Sequence, residues 1–212
     1  MNRRAMDPKS LLPSRIAKSL ILLAGAALLP LAACSGGGAS SEPPPLEGAA
    51  IGGDFTLLDK TGKTVRAADF AGRYRTLYFG YTFCPDVCPL DVQIMMQGYH
   101  IFAKEHPELA AKVAPMFITI DPARDTPQVV GQFAAHFGKE LIGLTGSDAQ
   151  IAQVAKSYAV YYKKGEGTGP GAYLMDHSRA AYLMGPEGQP IALLPVDKDA
   201  KAVAAELAKW VH

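Results

Sequence analysis

Residues 78–91 read YFGYTFCPDVCPLD. The aromatic and apolar run Thr76–Tyr81 has the composition of a short buried strand. Two cysteines follow it, four residues apart, each directly ahead of a proline. On a helix this spacing would put both sulfurs on one face. A residue before proline, however, is pushed out of the α region, so Cys84 and Cys88 cannot both sit inside a regular helix. Pro85-Asp86 suits the centre of a tight turn, and Pro89 suits the first position of a helix. The stretch therefore reads as strand, stiff turn, helix. It places Cys88 at or near an N-cap, where the positive end of the helix dipole favours a thiolate.

Outward from this stretch the chain alternates strand and helix patterns. Upstream, DFTLLDKTGKTVRAADF alternates apolar and polar residues around Lys60–Lys63, which predicts a hairpin. Downstream, Leu90, Ile94, Ile101 and Phe102 recur near helical spacing to about Lys104. VAPMFITI (113–120) is a nearly continuous apolar run, as in a strand buried on both faces. DPARDTP (121–127) is a loop in which Thr126 is an N-cap and Pro127 opens a helix to about Phe137. A short strand at 141–144, a helix at 148–158, a strand in VYYKK and a loop over 165–172 follow. A hairpin turning at 185–189 and an amphipathic helix over 199–210 close the chain. There is no internal repeat. Strands alternating with helices, closed by an antiparallel hairpin and a final helix, predict an α/β domain with a mixed central sheet covered on both faces. With a cysteine pair just after an early strand, the thioredoxin-like fold matches best, carrying the first hairpin as an N-terminal extension.

The 212 residues and their 49% hydrophobic share fit one globular domain with extras. The formal charge of +1 hides an asymmetry, because residues 1–33 hold five cations against Asp7. The remainder has 16 basic and 19 acidic residues, and a mildly acidic body gives no electrostatic footprint for nucleic acid. A basic stretch followed by LILLAGAALLPLAAC reads as an export signal over 1–33. Its apolar run is shorter than the ~20 residues that span a bilayer. Leu31-Ala32-Ala33-Cys34 resembles a bacterial lipobox, which implies lipidation of Cys34. The alternative is an uncleaved anchor. Both readings put the body outside the cytoplasm, tethered to a membrane in the bacterial periplasm. Residues 34–50, rich in Gly, Ser and Pro, read as a flexible tether, which leaves 51–212 as the folded domain.

Two thiols on a stiff turn can close a disulfide of about 2.05 Å or hold a soft ion. At metal–sulfur bonds of about 2.3 Å, trigonal geometry separates the sulfurs by roughly 4 Å. The three-residue insert gives room for that. Soft thiolates select Cu(I), and an added imidazole lets the set hold Cu(II) as well. A purely stabilising disulfide is the plainer alternative, but a short loop gains little closure entropy.

GYTFCPDVCP, DPARDTP and YLMDHS, in this order and spacing, resemble the Sco/SenC family of copper-binding proteins across essentially the whole domain from about residue 51. The resemblance implies His177 as the metal-binding histidine, giving Cys84, Cys88 and His177 as a three-coordinate set for copper, Cu(I) or Cu(II). It also implies a place for Asp121 near the copper loop; Asp121, Arg124 and Asp125 forming loop salt bridges and a cap is the equal alternative. Asp176 could orient His177 through its second nitrogen or be an exposed turn residue. Met175 is a candidate fourth ligand, Met95, Met96, Met116 and Met184 are core fillers, and Tyr81 and Phe83 wall the site. His100, His106, His136 and the terminal His212 read as surface residues.

By resemblance the protein is a copper metallochaperone, an assembly factor delivering copper to the dinuclear copper site of cytochrome c oxidase. Its partners are then the copper-bearing oxidase subunit, a copper donor chaperone and, through the lipid anchor, a membrane. The competing reading is a thiol–disulfide oxidoreductase that reduces the acceptor's cysteines through redox-active Cys84 and Cys88. Thioredoxins carry a proline just before the strand facing their cysteines, yet Asp176-His177 stands there and the nearest upstream proline is Pro170. A peroxiredoxin-type peroxidase needs Thr or Ser three residues before its reactive cysteine, and position 81 is tyrosine.

Overall fold

The structure, a computed structural model, describes residues 42–167 and 172–212. The export signal and Cys34 lie outside the described residues. Among the described residues no helix is long and apolar enough to cross a membrane.

The fold is built on β3 (Tyr74–Gly80), every residue of which is buried. It pairs in parallel with β4 (Val113–Thr119), which pairs in parallel with β5 (Ile142–Leu144). On its other side β3 pairs antiparallel with β8 (Ala181–Met184), which pairs antiparallel with β9 (Pro190–Leu194). The resulting five-stranded order is β5-β4-β3-β8-β9. This is the expected mixed, thioredoxin-like sheet. Side chains alternate across it. Tyr78 and Phe117 stack on one face, where Phe117 meets Phe133 of α3 (Pro127–Ala135). Phe79 and Tyr182 use the other face, against Tyr158 at the end of α4 (Asp148–Ser157). Both faces are therefore covered, which is why β3 and β4 read as continuous apolar runs.

α1 (Val87–Glu105) packs against α5 (Ala200–Trp210) on the Tyr78 side. The approach is close at Gly98, where an added Cβ would lie 2.5 Å from Val203 and 2.8 Å from the Ala200 carbonyl. Side chains cap the N-termini of three other helices, the first of them the Thr126 cap that the sequence predicts. Thr126 accepts from the Val129 amide ahead of Pro127, Ser147 forms a capping box with Gln150, and Asp199 accepts from Ala202. The predicted N-terminal hairpin is β1 (Thr56–Leu58) with β2 (Thr64–Arg66), joined to the body by a Leu58–Thr145 bridge. A short 3-10 turn (Ala67–Phe70) and α2 (Pro107–Ala110) have no counterpart in the sequence reading.

Two placements differ from expectation. The folded body begins before residue 51: the Leu46 amide donates to the Ile191 carbonyl at 3.0 Å, and Leu46 packs on the core. The second is a strand that the sequence does not mark, following the stretch 165–172, of which 168–171 lie outside the described residues. β7 (Met175–His177) pairs antiparallel with β6 (Tyr162–Lys164) as a two-stranded ribbon separate from the central sheet.

Candidate metal centre

The end of β3 delivers the cysteines. Gly80 lets the chain pass the site closely: an added Cβ would sit 2.8 Å from the Tyr78 ring and 3.2 Å from the Cys88 sulfur. After the buried Tyr81, the Cys84 amide donates back to the Tyr81 carbonyl at 3.3 Å, which closes the turn. α1 starts at Val87, two residues ahead of Pro89. Proline is tolerated there because amides in the first turn have no intrahelical partner. Cys84 therefore lies in the turn and Cys88 in the first helical turn. Both are free thiols, Cys84 half-buried and Cys88 fully buried.

The Cys88 amide donates to the Cys84 sulfur at 3.4 Å. The Cys88 sulfur lies 3.2 Å from Nε2 of His177. Folding thus brings a ring 89 residues away in sequence into contact with the pair. Nδ1 of His177 lies 2.9 Å from the Ser178 carbonyl. A carbonyl only accepts, so Nδ1 carries the proton, and in the neutral ring Nε2 presents its lone pair to the sulfur. Burial lowers the His177 pKa and keeps the ring neutral, against the raising pull of the Ser178 carbonyl and the Asp91 charge. Tyr78 and Tyr81 stand edge-on to the imidazole with centroids at 6.4 and 5.9 Å. Among the described residues no three His, Cys, Asp or Glu side chains already form a closed ion cage. The arrangement is a sulfur–nitrogen pair in contact, with a second sulfur beside it.

The electrostatics of Cys88 correct the sequence reading. Burial raises its pKa well above the ordinary thiol range, and the Cys84 sulfur adds to the rise. Desolvation outweighs the helix dipole that favours a thiolate, and the buried thiol keeps its proton.

The remaining candidates divide cleanly. Asp121 is buried. It accepts from Arg124 Nε at 2.5 Å and from the Tyr173 hydroxyl at 2.8 Å. Arg124 in turn stacks over Tyr173, Phe83 and Tyr81, with its guanidinium carbon 3.6, 4.8 and 5.6 Å from the ring centroids. Asp121 therefore reaches the cysteine loop through Arg124 and the aromatic walls, with no direct bond to a cysteine or to His177. Asp176 does not hold the second ring nitrogen; the Ser178 carbonyl does, and Asp176 is exposed opposite Lys163. Met175 and the four filler methionines are buried in the core. His100 pairs with Glu140 and His136 bonds the Gln132 carbonyl.

Two further carboxylates hold the site's surroundings: Asp125, which the sequence reading places in a loop salt bridge or cap, and Asp91, which it does not single out. Asp125 accepts from the Thr82 amide and hydroxyl at 3.0 and 2.6 Å and from the Thr119 hydroxyl at 2.5 Å, tying the cysteine loop to the end of β4. Asp91, wholly buried on α1, accepts from Tyr78 at 2.9 Å and from Arg179 through two bonds of 3.0 and 2.6 Å. The signal for Asp125 was present, an acidic residue directly ahead of a capped helix. For Asp91 there was none, since its partner Arg179 lies 88 residues away.

The family model described as SCO1/SenC matches residues 43–212. The mitochondrial protein SCO2 homolog of Bos taurus is 46% identical over 144 residues, 68% of this chain and 53% of that protein. The chain spans about half the length of the curated mammalian relatives it matches. Copper-bound ScoI of Arabidopsis thaliana superposes with a TM-score of 0.69 at 38% identity, covering 75% of this chain and 96% of that one. Copper-bound ScoI of Bradyrhizobium japonicum gives 0.68 at 37%, covering 76% and 99%.

Proposed function

Because the chain belongs to the SCO1/SenC family, as the match over residues 43–212 shows, we propose that it is a copper-binding assembly factor that delivers copper to the dinuclear site of cytochrome c oxidase. The observation that carries this is the 3.2 Å contact between the Cys88 sulfur and His177 Nε2, beside Cys84. Two sulfurs and one imidazole make a soft, mixed set suited to Cu(I) and able to hold Cu(II). Copper is the cargo. On its arrival Cys88 gives up its proton to solvent, His177 offers the lone pair that its Ser178 bond has already aimed, and Cys84, held close by the Cys88 amide, supplies the second sulfur. Cys84 is the more exposed sulfur, and so the one an acceptor's thiolate reaches first during exchange.

The partners of this reading are the copper-bearing oxidase subunit and an upstream copper donor chaperone. A lipid on Cys34, with the Gly/Ser/Pro tether behind it, would hold the domain beside a membrane-bound acceptor in the bacterial periplasm and raise its effective concentration there. The test is a copper titration of the reduced full-length chain against Cys84→Ser, Cys88→Ser and His177→Ala. One tight equivalent, lost in each variant, is the expected result; unchanged binding in His177→Ala would sink the three-ligand site.

A second reading has its own support in the adjacency of two free thiols, the buried one donating its amide to the sulfur of the half-exposed one. Cys84 would attack an acceptor disulfide, Cys88 would resolve the mixed disulfide, and the acceptor would leave with two thiols while Cys84 and Cys88 close a disulfide. An external thiol reductant would then restore the pair. Here His177→Ala discriminates, since it should weaken copper binding sharply and leave disulfide reduction largely intact.

A further inference from the structure

His177 ends β7, whose strand partner among the described residues is β6 and not a strand of the central sheet. Sheet hydrogen bonds therefore do not fix the imidazole relative to the cysteines. Between His177 and Ala181, where the chain enters β8, lie only Ser178, Arg179 and Ala180. Of these, Arg179 reaches across to α1. Its Nε and Nη2 donate to the two oxygens of Asp91 at 3.0 and 2.6 Å. Asp91 stands three residues beyond Cys88, on the same side of the helix, and is wholly buried.

A two-pronged guanidinium–carboxylate bond fixes direction as well as distance. Ordinary surface ion pairs contribute little, but this carboxylate is sealed from water and has the Tyr78 hydroxyl as its third donor at 2.9 Å. We propose that Asp91 and Arg179 are positioning residues, fastening the segment that carries His177 to the helix that carries Cys88 and so setting the sulfur–nitrogen spacing of the site. The consequence for metal binding rests on the copper reading above; the effect on the ring itself does not.

The test uses the full-length chain as wild type, Arg179→Gln, Arg179→Lys, Asp91→Asn, His177→Ala and the Arg179→Gln/His177→Ala double variant, with thermal melts as a folding control. In the metal-free protein, ¹H–¹⁵N spectra of the His177 ring report the tautomer. Wild type should show a single ring environment with Nδ1 protonated, and Arg179→Gln should average toward both tautomers. Unchanged ring shifts in Arg179→Gln and Asp91→Asn would overturn the proposal, whether or not copper binds. Losing a group bonded directly to a metal ligand weakens affinity by about 10- to 100-fold, and Arg179 acts one step further out, so in the copper titration that range is the upper bound. Arg179→Gln should weaken affinity measurably within that bound, with an altered Cu(II)–thiolate charge-transfer band, and Arg179→Lys should lie between it and wild type. If Arg179 acts through His177, it costs nothing further once His177 is alanine. Full additivity in the double variant would also overturn the proposal. Wild type and His177→Ala titrating alike would instead reject the copper reading and leave the ring spectra to decide this one.

Discussion

At Asp125 three donors converge on one buried carboxylate, two of them from Thr82 and the third from Thr119. Burial raises its pKa, against the lowering pull of the Thr119 and Thr82 bonds. Asp125→Ala would strand a backbone amide and two hydroxyls in the core, at a cost of about 2–4 kcal/mol. Urea unfolding measures this, and a loss below about 1 kcal/mol would contradict the role. The residue scale is also where the sequence spoke most clearly. Cys84 and Cys88 announced themselves through their prolines, and His177 through the family pattern. Asp91 was silent because nothing local separates a buried, paired carboxylate from an exposed one on a helix. The thiol of Cys88 was misread for a related reason, since a dipole can be inferred from the chain but the depth of burial that outweighs it cannot.

α1 and α5 meet where Gly98 leaves no side chain between them. Gly98→Ala should gain about 1 kcal/mol in helix propensity, but its methyl would press into Val203 and the Ala200 carbonyl. Overpacking of this kind costs about 1–3 kcal/mol, so the net expectation is a loss of stability; a variant with a raised melting temperature would refute it. Among the elements, long periodic or fully apolar segments such as β3, β4 and α3 were readable within a few residues, because a two-faced burial pattern or a Thr-Pro start leaves a local trace. β7 was not. Three residues, one buried and one exposed, carry too little periodicity to mark a strand, and the pairing that makes it one comes from β6, earlier in the chain. α1 began earlier than the proline rule suggests because its first turn can accept Pro89 as its third residue.

Acid stability of the whole molecule is a sum of opposed contributions. Asp59 has a lowered pKa, chiefly because the Thr61 hydroxyl bonds it at 2.7 Å, with the amides of Thr61 and Lys63 adding to this. A carboxyl lowered on folding contributes stability that is present above its unfolded value of about 3.9 and is lost as pH falls through the folded one. Glu140 is also lowered, its desolvation outweighed by backbone and His100 hydrogen bonds, and loses stability in the same direction. Asp125, raised by burial, works the other way and is relieved by protonation. Asp59→Asn should therefore shrink the difference in unfolding free energy between about pH 6 and pH 3; an undiminished difference would refute the assignment. The separateness of the β6–β7 ribbon bears on how such variants are judged. Most of the apolar interior belongs to the five-stranded sheet and its helices, while the imidazole rides on a ribbon outside that sheet. A chain can thus melt cooperatively at its normal temperature with its chemistry already gone, and foldedness alone is no certificate of competence here.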